Sequence, residues 1–175
     1  MTSTSPAHNI VLTGFMGTGK STIGRALAAL LGWQFVDTDT LIEAAHGPIP
    51  DIFAAHGEEH FRELERQVAS EVAGHSGHVV ATGGRLMLDP ANQATLGATG
   101  LVVALTATAE EIHDRLVGDG TLEHRPLLAG PDPRRVIESL LEERTPLYEQ
   151  FTTVATGGRT PEAIATDIAA LAGLG

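Results

Sequence analysis

Apolar positions along the chain follow two alternating periods. Short, largely apolar runs at 9–13, 33–36, 78–81 and 101–105 each have Gly or Asp at one end at least, and 152–155 is a mostly β-branched run, the patterns that predict strands. Leu101-Val102-Val103-Ala104-Leu105 is apolar without alternation, as a strand covered on both faces should be. Between these runs apolar residues recur every three to four positions, which predicts helices over 21–31, 40–45, 58–73, 90–96, 108–117, 133–150 and 161–172. The 58–73 stretch carries Phe61, Leu64, Val68 and Val72 on one stripe, and Thr108 is placed to cap the helix it precedes. Gly47-Pro48-Ile49-Pro50 breaks the helix before it, and residues 51–55 add a turn that stops at His56-Gly57. Strand and helix alternate throughout, so a mostly parallel α/β sheet wrapped by helices is expected. Two stretches depart from simple crossovers. The link between the second and third strands is long enough to hold a small helical insertion, about 38–73. The segment at about 116–130 is polar and bounded by Gly118, Gly120 and Gly130, which suits a mobile loop.

Composition narrows the class. At 175 residues the chain fits one domain, 1–175, with a real core. No apolar run reaches the ~18 residues of a membrane span, and Met1 to His8 reads as a short loose tail without the character of a signal peptide. Cysteine is absent, so disulfides and thiolate metal sites are excluded and a cytoplasmic location is expected. A formal charge of −11 argues against a nucleic-acid partner. A monomer with a small-molecule acceptor is expected.

The chain has a single lysine, Lys20, and it stands in Gly14-Phe15-Met16-Gly17-Thr18-Gly19-Lys20-Ser21. That octet is G-x-x-x-x-G-K-[ST], preceded by a strand and followed by a helix, the setting of a phosphate-binding loop. Glycines allow the backbone N–H groups to converge on phosphate oxygens, and the lysine reaches the β- and γ-phosphates. The serine hydroxyl is a Mg²⁺ ligand, and the following helix points its N-terminus at the anion. Gly17, Thr18, Gly19, Lys20, Ser21 and Thr22 are therefore nucleotide-contact candidates, with ATP and Mg²⁺ as the implied ligands. A guanine-specific N-K-x-D element is impossible once the lone lysine is committed. A compact small-molecule kinase, closing a lid over ATP and acceptor, fits what remains. Ten arginines supply the other cations. Arg25, Arg66, Arg134 and Arg135 lie in acid-rich helices and are expected in ion pairs, whereas Arg62, Arg85, Arg115, Arg125, Arg144 and Arg159 lie near loops or helix ends, where anions are handled.

Behind the phosphate loop come Asp37-Thr38-Asp39, Phe61-Arg62-Glu63-Leu64-Glu65, Ala81-Thr82-Gly83-Gly84, Arg125-Pro126-Leu127-Leu128 and Arg144-Thr145-Pro146-Leu147-Tyr148, in that order. Together they resemble the shikimate kinase family, from Asn9 to the last helix. The resemblance implies a nucleoside monophosphate kinase-like fold, with five parallel strands in the order 2-3-1-4-5, and ATP-dependent phosphorylation of a shikimate hydroxyl. It implies that Asp37 holds Mg²⁺ through water beside Ser21, and that Asp39 binds and helps deprotonate the acceptor hydroxyl. Arg62 and Arg144 would clamp the acceptor carboxylate, with Glu65 orienting Arg62. Gly83 and Gly84 would approach the acceptor, and Arg125 would swing in with the lid. Arg115, Arg159 and Pro161 would border the adenine.

Taken singly, each element has an ordinary structural use. Asp37-Thr38-Asp39 could be a capping turn, Arg62 a surface partner of Glu58 or Glu65, and Arg144 a counter-charge at its helix end. Tyr148 and Trp33 read as packing residues, and the eight histidines show no metal-ligand spacing. Two features depart from the family pattern. Arg85 stands where the family has the third of three glycines, and the stretch from Arg115 to Arg125 is longer. An inward Arg85 would suit a more anionic acceptor, another carboxylated polyol or cyclitol. An outward Arg85 leaves the pocket to shikimate and is the expected orientation, because an unpaired guanidinium beside two others is costly to bury. A nucleotide-binding module without catalysis is the alternative of a different class.

Overall fold

A computed structural model describes residues 8–174. The expected loose tail therefore lies, except for His8, outside the described residues. Five strands, β1 (Asn9–Gly14), β2 (Gln34–Asp37), β3 (His78–Ala81), β4 (Gly100–Thr106) and β5 (Thr152–Ala155), form one parallel sheet in the order β2-β3-β1-β4-β5. This is the expected order. β1 lies at the centre, with Asn9 opposite both His78 and Gly100. Asn9 is fully buried and fully used. Its amide donates to the His75 carbonyl at 2.8 Å and its oxygen accepts from the His78 N–H at 3.0 Å, which aligns the start of β3 with β1.

Strand alternation divides the core between the two faces of the sheet. Ile10, Leu12, Val79, Val103 and Leu105 pack with Ile23 and Leu27 of α1 (Lys20–Leu31) and with Ile164 and Ile168 of α7 (Pro161–Leu171). Val11 and Val80 turn the other way, onto Phe61, Leu64, Val68 and Val72 of α3 (Ile49–Ala73) and Leu96 of α4 (Pro90–Gly97). The four residues of the expected stripe are thus the buried face of α3. That helix is broken at Gly57, where φ is 82°, so the expected stop at His56-Gly57 is present as a sharp break between two helical segments. With α2 (Thr38–His46) it fills the connection from β2 to β3.

A third cluster joins Phe15 and Ala104 to Ile112 and Leu116 of α5 (Ala109–Gly118) and to Ile137 and Tyr148 of α6 (Pro133–Tyr148). Thr108 caps α5 in a reciprocal capping box with Glu111. Between α5 and α6 the expected loop contains two short 3₁₀ turns, Leu122–His124 and Pro126–Leu128. Leu128 is buried in the third cluster and Leu122 packs against it, while Leu127 is 57% exposed, so two leucines anchor a segment that otherwise lies largely on the surface. Arg66 pairs with Asp89, and Arg134 with Glu110 and Glu138, as expected of them. Arg25 differs. Its guanidinium lies 4.5 Å from the centre of the Phe35 ring and donates to the Ser21 carbonyl, because the ring on the neighbouring strand offers it a flat face.

Candidate active site

A cleft of about 540 Å³ opens at the carboxyl edge of the sheet, beyond the ends of β1, β2 and β3. The phosphate loop forms its floor. Gly17 and Gly19 have φ of 73° and 96°, values that other residues rarely adopt. Gly19 also sits at the N-cap of α1, where it has no side chain to occupy the first N–H groups of the helix. Thr18 is buried and its hydroxyl donates to the Phe15 carbonyl at 2.7 Å. Its side chain therefore braces the loop.

Lys20 Nζ donates to the carbonyls of Gly14 and Phe15 at 2.9 and 3.0 Å. Burial lowers its pKa to about 8; Asp39 and Asp37 oppose that shift and Arg125 adds to it. The Ser21 hydroxyl donates to Asp37 Oδ2 at 3.0 Å. The other Asp37 oxygen accepts from the N–H groups of Asp39 and Thr40 at 3.0 and 3.3 Å. One carboxylate thus caps α2 and also faces the serine, so the capping use and the position beside Ser21 coexist.

Asp39 lies across the cleft from the loop. Burial, reinforced by Asp37, pushes its carboxyl above the usual range, although Lys20 pulls the other way. A Cβ on Gly83 would come within 2.6 Å of Asp39 Oδ1, so a larger residue there would push the Asp39 carboxylate out of place. The Gly83 N–H donates to Thr38 Oγ1 at 3.0 Å, which ties the end of β3 to the start of α2.

Arg62 on α3 faces the same space, gripped by two acids. Its Nη1 donates to Glu65 at 2.6 Å, and its Nε and Nη2 donate to Glu58 at 3.3 and 3.1 Å. Glu65 is 2% exposed. Burial raises the Glu65 carboxyl above its usual range despite the opposing pull of Arg62. Burial also works against the Arg62 cation, but the bonds to Glu65 and Glu58 outweigh it and hold the guanidinium above its ordinary value. Arg144, on α6, completes this side of the cleft with its guanidinium 5.5 Å from the centre of the Phe15 ring. Tyr148, one turn later, donates its hydroxyl to the Gly84 carbonyl at 2.5 Å. It is the packing residue expected of it, and it also pins the glycine pair.

The remaining candidates border a smaller hollow of about 260 Å³ on the far side of the loop, lined by Thr22, Arg115, Arg159, Pro161 and Thr156. Arg115 donates to the Gly17 carbonyl at 3.1 Å and to the Thr156 hydroxyl and carbonyl at 2.9 and 3.0 Å. Arg159 pairs with Asp167. Arg125 is exposed and lines the larger cleft from the segment after α5. Arg85 lies on the rim, 54% exposed, with Nη1 3.3 Å from Glu58. Its φ of −116° and ψ of −6° are open to any residue, so the third glycine of the family pattern is replaced without backbone strain. All the site residues named from the sequence therefore border one of two adjoining hollows or, like Thr18, brace the loop between them. Phe15 and Thr156 were not singled out from the sequence, whereas Glu58 was named there as a possible partner of Arg62 and is one. Phe15 occupies a free position of the phosphate-loop motif, and Thr156 is recognisable only once the chain is folded.

The shikimate kinase family model matches residues 16–172. The chain belongs to the shikimate kinase family. It is 48% identical over 147 residues to the shikimate kinase of Symbiobacterium thermophilum, covering 83% of this chain and 84% of the relative. The shikimate kinase of Geobacter sulfurreducens is 44% identical, over 97% of this chain and 93% of its own. Among solved structures, a shikimate kinase from Acinetobacter baumannii in complex with shikimate superposes with a TM-score of 0.83 at 38% identity, covering 94% of this chain and 92% of that one. Membership makes the protein a phosphotransferase that takes its phosphoryl group from ATP and passes it to an alcohol of a small molecule, shikimate. No helix among the described residues is long and apolar enough to cross a membrane.

Proposed function

We propose that this cleft transfers the γ-phosphoryl group of ATP to a hydroxyl of shikimate, giving shikimate 3-phosphate for aromatic amino acid biosynthesis. A single observation carries the residue roles: one cleft joins a phosphate loop bearing Lys20 to two arginines, Arg62 and Arg144, across the carboxylate of Asp39. A molecule with a carboxylate at one end and a hydroxyl at the other would engage both kinds of group in one cleft. Arg62 and Arg144 hold the carboxylate, and the backbone of Gly83 and Gly84, free of side chains, lies against the ring. Asp39 accepts a hydrogen bond from the attacking hydroxyl. Its raised proton affinity suits a group that takes up a proton as the new bond forms. Lys20 exchanges its two carbonyl partners for phosphate oxygens. Arg125, carried on the segment after α5, meets the charge that develops on the transferring group. Arg115, Arg159 and Pro161 border the adenine, with Thr156 holding Arg115 in place.

The donor set suits Mg²⁺. Ser21 and Asp37 offer two hard oxygen groups side by side. No cluster of three or more His, Asp or Glu groups that could hold an ion exists among the described residues. A magnesium ion held by one or two protein oxygens keeps the rest of its shell as water and phosphate, and when bound it would offset charge on the β- and γ-phosphates. Residues 38–73 then form the acceptor-binding insertion, and 116–130 a lid that closes when both substrates are in place. The enzyme works as a cytoplasmic monomer. An ADP-release assay over shikimate and a panel of carboxylated polyols and cyclitols tests this reading. Shikimate should give the highest kcat/KM. Turnover of another hydroxy-acid in its place would overturn the acceptor assignment, and absence of turnover with every member would favour a binding module.

A further inference from the structure

The rim of the acceptor side contains an ion-pair chain that the assigned roles leave unused. Arg62 lies between two carboxylates of opposite character. Glu65 is buried and close, at 2.6 Å, and could not leave without stranding a charge. Glu58 is 56% exposed, follows the break at Gly57, and takes the Nε–Nη2 edge of the guanidinium through one oxygen. That edge presents two parallel N–H donors, a fork suited to a two-point grip on a carboxylate. Glu58 therefore occupies, from within the chain, ground that an acceptor carboxylate needs. The same Glu58 oxygen is shared with Arg85 Nη1 at 3.3 Å. Arg85 reaches it from the loop after β3, opposite α3.

We propose that Arg85 is a positioning residue for acceptor binding, which acts by drawing Glu58 off Arg62. When the acceptor carboxylate arrives, Glu58 swings onto Arg85 and frees the Nε–Nη2 edge. Charge balance points the same way. Arg62, Arg85, Glu58 and Glu65 sum to zero, so an entering carboxylate meets a neutral group. A glycine at 85 would leave that group at −1 before the acceptor arrives. The inference rests on the reading of Arg62 as a carboxylate clamp and assigns the departure from the family's third glycine a use. Both partners are more than half exposed, so the effect is that of a surface ion pair: modest, and felt in binding.

The experiment measures steady-state constants for wild type, Arg85→Gly, Arg85→Lys, Glu58→Gln and the Arg85→Gly/Glu58→Gln pair. Position 85 needs no special backbone, so folding is not at risk in the glycine variant. Arg85→Gly should raise the shikimate KM about two- to fivefold, the span an exposed ion pair supports, while kcat and the ATP KM hold. Arg85→Lys, which keeps the charge, should stay within about twofold of wild type. Glu58→Gln should lower the shikimate KM, and in that background Arg85→Gly should have no further effect. An unchanged or lower shikimate KM in Arg85→Gly overturns the proposal, as does an equal rise with and without Glu58, which would mean that Arg85 meets the acceptor itself. An Arg62→Ala enzyme with an unmoved shikimate KM would instead overturn the clamp on which the proposal stands.

Discussion

Arg62→Ala should damage this protein in two separable ways, because the guanidinium faces both the proposed acceptor site and a buried acid. On the substrate side it removes charge-assisted hydrogen bonds to the acceptor. Such bonds are worth about 1.5–3 kcal/mol each, so losing one should raise the shikimate KM roughly ten- to two-hundred-fold and leave the ATP KM near its original value. On the protein side it strands Glu65, which is 2% exposed and has Arg62 as its hydrogen-bonded partner at 2.6 Å. Removing one member of a buried pair costs about 3–5 kcal/mol. The Arg62 side chain is 21% exposed, which favours the lower end. For a domain of this size about 3 kcal/mol lowers the melting temperature by roughly 6–12 °C.

The pH dependence gives the sharper check. The folded state already binds the Glu65 proton more tightly than an ordinary glutamate at 4.5, because burial disfavours the anion. That group's contribution to stability is fully present below the ordinary value and is lost as pH rises through the raised one. Taking away Arg62 raises the folded value further. The stability deficit of Arg62→Ala relative to wild type should therefore be small near pH 5 and grow toward pH 8, read by chemical denaturation at each pH. Adding Glu65→Gln removes the anion and should recover most of the stability at pH 8 while leaving the shikimate KM high. A deficit of equal size at both pH values would refute the burial argument. Recovery of KM in the double variant would refute the clamp.

Lys20→Met keeps most of the side-chain volume and removes the charge aimed at the β- and γ-phosphates; kcat should fall by several orders of magnitude with the melting curve nearly unchanged. Turnover at the wild-type rate would end the assigned role, since no second lysine can substitute. Arg125→Ala should act mainly on kcat, because its contacts form as transition-state charge develops. Amide exchange over 118–127 should slow only when nucleotide and acceptor are both bound, with Leu128 protected throughout by its burial; equal protection with and without ligands would exclude a closing lid.

How much of this was legible beforehand depends on the range of the interaction. Strands, helices and the phosphate loop are written in local periodicity and short motifs, and the expected boundaries fall within a few residues of the observed ones. The break at Gly57 was legible for the same reason, as a glycine between two apolar-periodic stretches. The distant partners of the site residues were not. Arg115 is held by Thr156, 41 positions away, and Tyr148 reaches Gly84 across 64. Thr156 belongs to no motif and no periodicity marks it, whereas Glu58, four positions before Arg62 on one helix, was legible as its possible partner. Arg85 shows both sides of this. Its departure from the glycine pattern was visible in the sequence, and its outward direction followed from the cost of burying a third cation. Its partner on α3 required the fold.

The strand order explains why residues so dispersed form one site. Ala81 on β3 lies opposite both Asp37 on β2 and Leu12 on β1. β2 and β3 therefore end at the same level and β1 runs on to Gly14 just beyond it, so the chain leaving each one enters the same space. From β1 it becomes the loop that carries Lys20, from β2 the turn with Asp37 and Asp39, and from β3 the glycine pair. The bond from the Gly83 N–H to Thr38 locks the last two together, and the bond from Ser21 to Asp37 locks the first two. Parallel pairing in the order β2-β3-β1 is thus sufficient to bring the phosphate loop, Asp39 and the glycine pair together. The arginines can then be supplied from outside the sheet, by α3, α6 and the segment after α5. Glu58 and Arg85 lie on the exposed rim of that arrangement, away from the buried faces of these elements. Acceptor preference should accordingly respond to changes at Glu58 and Arg85 that leave phosphoryl transfer intact.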